Sequence, residues 1–315
     1  MQAQIHHIRH AERSEASKLS GGHERFLGFF AALRMTVAWV CLLLSPVYAA
    51  ESVQKGITFA RIDGTELKLD LYRPDSPPAG LIVWVHGGAW RGGSRENVDL
   101  KGLTSLGWAV ASVDYRLSTT ARFPAQIHDL KAAIRFLRAH AADYGYPANK
   151  FVIAGSSAGG QLAALVGVTN GHSTLEGTVG DHPGVSSDVQ AIVDLYGASN
   201  LTRILAQSTP YGLSVRAPAL DLLLGGQPDQ VTELTRLASP VFHVDLSDPP
   251  LFLMHGDQDP QMPIEQSHEF AAAYRKLGLP LQFEVQAGSG HGGPAFTSEA
   301  SLHLIDAFLR KHLRD

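Results

Sequence analysis

The chain carries one cysteine, Cys41, among 315 residues. A disulfide within the chain is therefore impossible, and so is a zinc site built on several cysteines. Charge of one sign is also scarce: 26 Lys and Arg stand against 30 Asp and Glu, for a net charge of -4. No lysine- or arginine-rich stripe occurs, which removes the electrostatic footprint expected of a nucleic-acid binder. The acidic surplus is too small to point to a polycationic partner. Internal repeats and low-complexity linkers are missing too. What remains is an ordinary globular composition, 44% hydrophobic and 18% charged, which excludes a disordered or fibrous chain. The length suits one large α/β domain, a class that often reaches about 250 residues.

Residues 1–25 are polar, without an amphipathic period, and hold His6, His7, His10 and His23. From Phe26 to Ala50 the chain is mostly apolar, with Arg34 its only charge. Val37 to Leu44 forms a hydrophobic run, followed by Ser45-Pro46 and the small-residue end Val47-Tyr48-Ala49-Ala50. A basic flank, an apolar run, a breaker and small residues are the parts of a secretory signal. Starting at Met35 the signal has a usual length, whereas starting at Met1 it is too long. The expectation is thus an over-extended segment at 1–34, a signal at 35–50 and a catalytic domain at 51–315. The product is exported, periplasmic or extracellular, with cleavage near Ala49 or Ala50. The alternative is an uncleaved anchor, because about 25 near-apolar residues can span a bilayer. Ala38-Trp39-Val40 before Cys41 does not resemble a lipobox. Without the signal no cysteine remains, and about 265 residues bury enough core to stand without disulfides.

Beyond Glu51, short apolar runs alternate with helical patterns. Ile57–Ile62 and Glu66–Tyr72 read as strands joined at Asp63-Gly64, a hairpin signal. Leu81–Val85, Trp108–Val113, Phe151–Ala154, Ala191–Leu195, Leu251–Met254 and Leu281–Val285 read as further strands. Ala125–His140 carries Ile127, Leu130, Ile134 and Leu137 at helical spacing. Ala158–Val166, Ile264–Leu277 and Ser301–Leu313 also read as helices. This order predicts a mostly parallel sheet with helices on both faces. Residues 197–245 mix Gly, Pro and Ser with Leu and read as a less regular excursion, a possible small cap that shapes a pocket.

Three motifs carry chemistry. Gly155-Ser156-Ser157-Ala158-Gly159 has the form G-x-S-x-G between a strand and a helix, the context in which that pattern presents a nucleophile. Its central position is Ser157; Ser156 competes only if the register shifts. His86-Gly87-Gly88-Ala89-Trp90 follows strand Leu81–Val85. Its glycines let the backbone N–H groups of Gly87 and Gly88 approach a substrate, and with Ala158 N–H they form a candidate oxyanion hole. His86 is expected to brace that loop. A serine hydroxyl needs a base, and the base needs an orienting acid. His255-Gly256-Asp257-Gln258-Asp259 offers two carboxylates at a strand end, and Gly290-His291-Gly292 offers a histidine on a glycine-flanked loop. His303 falls in the final helix and reads as a helix-face residue.

Together with Asp114-Tyr115-Arg116-Leu117, these motifs stand in the order found in esterases of the α/β-hydrolase fold. From about residue 54 onward the chain resembles the hormone-sensitive-lipase-like branch and, more closely, bacterial feruloyl and acetyl-xylan esterase-like proteins. The resemblance implies a Ser157–Asp259–His291 triad, because the family places its acid at the second carboxylate of H-G-x-x-D. Asp257 is the alternative. Met262 stands where the family usually has valine, and Ala89 where lipase-like relatives have a third glycine. Asp114-Tyr115-Arg116 and His128-Asp129 match structural signatures of the family. The expected reaction is acyl transfer on a short-chain or cell-wall (acetyl or feruloyl) ester, small or polysaccharide-linked, with no metal or organic cofactor. A prolyl-oligopeptidase-like peptidase and an arylformamidase-like amidase are rivals. The first lacks its propeller domain here, and an export signal disfavours the second. A non-catalytic binding protein would require a broken triad. The signal generates one expectation: N-terminal sequencing of the exported protein gives a mature terminus beside Ala49 or Ala50, and a terminus near residue 1 overturns it.

Overall fold

In this computed structural model the described residues are 52–314. The segment expected to be over-extended, 1–34, and the expected signal, 35–50, lie outside them. The first strand, β1 (Ser52–Ile62), folds back on β2 (Thr65–Arg73) through Asp63-Gly64. Asp63 and Gly64 have φ of 48° and 79°, the positive values that a tight hairpin turn needs and that Asp-Gly adopts readily. β3 (Leu81–Val85), β4 (Ala109–Val113), β5 (Phe151–Ser156), β6 (Ala191–Leu195), β7 (Leu251–Gly256) and β8 (Leu281–Gln286) complete one sheet in the order β1-β2-β4-β3-β5-β6-β7-β8. β2 runs antiparallel to β1 and β4, and the other pairings are parallel. This is the α/β-hydrolase fold.

β3 to β7 are buried along their whole length. Their side chains alternate between two cores, as the period of two requires. Leu81, Val83 and Val85 join one core with Ile127, Leu130, Ile134 and Leu137 of α1 (Ala125–Ala139) and Leu162 of α2 (Ala158–Gly167). Ile82 and Trp84 face the other, with Leu100 and Leu103 of the turn-like segment Asp99–Leu106. Each fully buried aliphatic side chain contributes about 1.5–3 kcal/mol.

The stretch 197–245 is more regular than its composition suggests. It contains α3 (Pro210–Leu224), with Pro218 inside the helix. Thr209 caps it by accepting from Gly212 N at 3.0 Å, and Gly225 closes it at φ 81°. Proline in a helix interior loses a backbone hydrogen bond, which is why the sequence reads there as irregular. Buried Ala219, Leu220, Leu223 and Leu224 hold the helix to the core instead. α4 (Glu265–Leu277) and α5 (Glu299–His312) lie on opposite faces, Phe270 and Tyr274 in the first core and Ile305 and Phe308 in the second.

Loops at the carboxyl ends of β3 and β4 are tied by three consecutive residues. Asp114 accepts from Arg95 Nη1 at 2.7 Å. Tyr115 OH donates to His86 O at 3.1 Å, and its ring stacks on His86 with centroids 4.5 Å apart. Arg116 grips the fully buried Asp129 carboxylate through Nε at 2.8 Å and Nη2 at 2.7 Å, and its own N–H adds a bond of 2.9 Å. Breaking such a pair strands the partner charge, so Asp129→Ala lowers stability by about 3–5 kcal/mol. Urea unfolding checks this; a loss within error of zero contradicts it.

Candidate active site

Ser157 sits between β5 and α2 with φ 55° and ψ -119°, a conformation costing on the order of 1–3 kcal/mol. Only small neighbours permit the turn. A Cβ on Gly155 would overlap the backbone of Gly159, and one on Gly159 would overlap the carbonyls of Val85 and His86. Ser157 N donates to Leu195 O at 2.9 Å, which pins the turn to β6. The side chain therefore stands at the carboxyl edge of the sheet, where open α/β sheets bind ligands. Ser156 points elsewhere, its Oγ donating to Asp99 at 3.0 Å.

The loops after β7 and β8 meet at Ser157. His291 Nε2 lies 2.8 Å from Ser157 Oγ, and His291 Nδ1 lies 2.6 Å from Asp259 Oδ2. The partners assign the roles: Nδ1–H donates to the carboxylate and Nε2 accepts from the hydroxyl. Asp259 Oδ1 accepts from Gln261 N at 2.8 Å and Met262 N at 2.7 Å. Burial acts to raise this carboxyl, but hydrogen bonds from His255 and His291, the His291 charge and the Met262 N–H outweigh it and hold Asp259 well below the usual carboxylate range. Asp257 takes no part, since its Oδ1 accepts from Gly288 N at 2.7 Å. His303 lies on α5, 3.8 Å from Glu299.

Two contacts went unread in the sequence. Buried His255 reaches Asp259 Oδ2 at 3.3 Å through Nε2, which also meets Met262 O at 3.0 Å, while Ser267 Oγ lies 2.7 Å from Nδ1. Tyr196 packs edge-on against His291, centroids 4.8 Å apart. The i,i+4 spacing of His255 and Asp259 was the available signal for the first; nothing in the sequence signals the second.

The loop after β3 has φ of 117° at Gly88, 50° at Ala89 and 58° at Trp90. The N–H groups of Gly87, Gly88 and Ala158 meet no backbone acceptor among the described residues, and the same holds for Ala89. Trp90 Nε1 locks the loop to α2 by donating to Gln161 Oε1 at 2.8 Å, and Gln161 Nε2 donates to Ala238 O at 2.8 Å. His86 is buried, its Nδ1 2.8 Å from Gly87 O, and burial pushes its pKa down. It braces this loop. A narrow cleft opens beside Ser157, lined by Ala89, Ala158, Val215, Arg216 and Met262. Among the described residues no cluster of His, Cys, Asp and Glu is arranged to hold a metal ion.

The BD-FAE family model matches residues 69–274. Esterase LipC of Mycobacterium tuberculosis is 34% identical over 235 residues, 71% of this chain and 56% of LipC. The chain thus spans about half the length of such curated relatives. A solved structure titled as a truncated carbohydrate esterase from gut microbiota superposes with a TM-score of 0.75 at 28% identity, covering 85% of this chain and 98% of that one. A bifunctional GH43-CE protein of Bacteroides eggerthii gives a TM-score of 0.74 at 35% identity, over 83% of this chain and 35% of the other.

A carboxyl whose folded-state pKa is depressed adds stability that is complete above its unfolded value, about 4 for Asp, and is lost as pH falls toward the folded value. Asp259→Asn therefore flattens the decline of the urea midpoint between about pH 4 and pH 2. An unchanged acid slope contradicts the assignment.

Proposed function

The chain belongs to the BD-FAE family, and from that membership and the site geometry we propose that it hydrolyses carboxylic esters through Ser157, His291 and Asp259. The observation that carries the reading is the continuous Ser157–His291–Asp259 chain, with links of 2.8 and 2.6 Å. Ser157 Oγ attacks the ester carbonyl as His291 Nε2 takes its proton. Asp259 keeps the ring oriented and stabilises its charged form. Backbone N–H groups of Gly87, Gly88 and Ala158 face the negative charge that develops on the carbonyl oxygen; one such donor is worth about 10²–10³ in rate. The tetrahedral intermediate collapses, and the alcohol leaves with the proton from His291. Water, deprotonated by the same ring, then attacks the acyl-enzyme, and the acid is released as Ser157 regains its proton. Ala89 contributes a further N–H at the cavity wall.

The substrate in this reading is a short-chain acyl ester, or a cell-wall ester in which the acyl group hangs from a polysaccharide. The narrow cleft beside Ser157 favours a small acyl group, and the solved carbohydrate esterase from gut microbiota favours a sugar-linked alcohol. Export through residues 35–50 belongs to the same proposal, since such polymers lie outside the cell.

Ser157→Ala lowers kcat on p-nitrophenyl acetate about a thousandfold or more and abolishes labelling by a fluorophosphonate probe, with the fold intact by circular dichroism. Full residual activity refutes the reading. A panel of acetylated xylan, methyl ferulate and p-nitrophenyl esters of rising chain length places the preference; turnover that rises with chain length rejects the short-acyl assignment.

A further inference from the structure

Arg216 on α3 is 2% exposed and shares the cavity wall with Ser157 and Ala158. Its Nε donates to Ser208 Oγ at 3.0 Å. Nη2 is buried without a hydrogen-bond partner, and among the described residues no carboxylate lies within ion-pair distance of the guanidinium. Other buried or half-buried arginines are spent differently. Arg135 Nη1 pairs with Glu176 at 2.8 Å and its Nη2 with Val179 O at 2.9 Å. Arg116 holds Asp129 by two bonds. Asp259 does not serve as the partner of Arg216, because Gln261 N, Met262 N, His291 and His255 already occupy its oxygens. Burial draws the Arg216 pKa down to about 10, against the pull of the Asp259 charge, so the group stays cationic at neutral pH.

A buried, unpaired guanidinium costs several kcal/mol. It is tolerated where an anion completes it. A planar guanidinium whose Nη2 lacks a partner can take a carboxylate in charge-assisted hydrogen bonding. We propose that Arg216 is an anion-recognition residue of the substrate cavity, and that the preferred ester bears a carboxylate a few bonds from its scissile carbonyl. The inference rests on the esterase reading and deepens it by naming the substrate class. The carboxylate can belong to the acyl part, as in a half-ester of a dicarboxylic acid, or to the alcohol part, as in an O-acylated hydroxy acid. Both present the same group to Arg216.

Two matched pairs of substrates separate these sources. Monomethyl glutarate against methyl hexanoate tests the acyl side, and acetoxyacetate against isobutyl acetate tests the alcohol side, all with the full chain and acid release followed in a pH-stat. The expected result is a higher kcat/KM for the acidic member of one pair. Arg216→Gln then shrinks that acidic-to-neutral ratio about thirtyfold or more, the range for removing one partner of a buried charge pair. Arg216→Lys restores part of the ratio. Fluorophosphonate labelling of each variant confirms a folded site, and the wild-type ratio is a test that needs no variant. Turnover of the neutral esters with no acidic preference in either pair overturns the anion subsite and leaves the esterase reading standing. A preference that survives Arg216→Gln also overturns it. No turnover of the four esters while p-nitrophenyl acetate is hydrolysed overturns the anion subsite alone; no turnover of p-nitrophenyl acetate either removes the esterase reading, and this inference with it.

Discussion

The backbone of Gly159 lies against the carbonyls of Val85 and His86 so closely that no side chain fits between them. That contact couples the end of β3 to the first turn of α2. The loop carrying the free N–H groups of Gly87 and Gly88 starts one residue beyond it, and Ser157 stands two residues before it. Any Cβ at Gly159 would push the candidate nucleophile away from the candidate oxyanion donors. Gly155 sets a second limit inside the same turn, where its missing Cβ lets the chain fold back on Gly159. The spacing of Ser157 from the oxyanion loop is thus a matter of backbone packing, and the side chains that matter are those that are absent.

Around that contact, polar groups that would be costly if orphaned are joined in chains. Trp90 donates to Gln161, and Gln161 donates onward to Ala238, linking the β3 loop, α2 and the excursion before β7. Tyr115 ties the β4 loop to His86 O. Asp259 receives donors on both oxygens. Buried hydrogen bonds in a low-dielectric setting are strong when complete and expensive when broken. Each chain therefore fixes a loop that has no regular secondary structure of its own.

How much of this was legible in the residues follows from the kind of signal each part leaves. The strands β3 to β7 are buried on both faces, so each shows as a compact apolar run. Their centres were readable, while β5 and β7 continue two residues further, to Ser156 and Gly256, because hydrogen bonding to neighbours outlasts the apolar run. Ser157, Asp259 and His291 lie beside glycines and strand ends, where local pattern is informative, and the structure brings them into hydrogen-bond contact. α3 was not legible. Pro218 argues against a helix locally, and only packing of Leu220, Leu223 and Leu224 against the core decides the matter. Arg216 is hidden for the same reason. A cation in a segment read as irregular looks like a solvated charge until the helix turns it inward.

Backbone strain shows the same division of labour. Among the described residues, the non-glycine positions with positive φ are Asp63, Ala89, Trp90, Ser157 and Tyr196. Asp63 serves the β1–β2 hairpin. The other four follow the carboxyl ends of β3, β5 and β6, and Ala89, Trp90 and Ser157 among them line the cleft. Each such residue costs on the order of 1–3 kcal/mol and persists only where the surroundings over-determine it. Here the surroundings are three adjacent parallel strands buried on both faces. Strain is concentrated where chain direction must change sharply to aim Ser157 and the loop N–H groups at one point. Arg216, which lines the same cleft with a buried unpartnered Nη2, adds to the cost. A fold selected for stability alone would relax both, by a glycine at Ser157 and an apolar residue at 216. That strained Ser157 and unpartnered Arg216 line one small cleft is the physical sign that the cleft is shaped for an occupant.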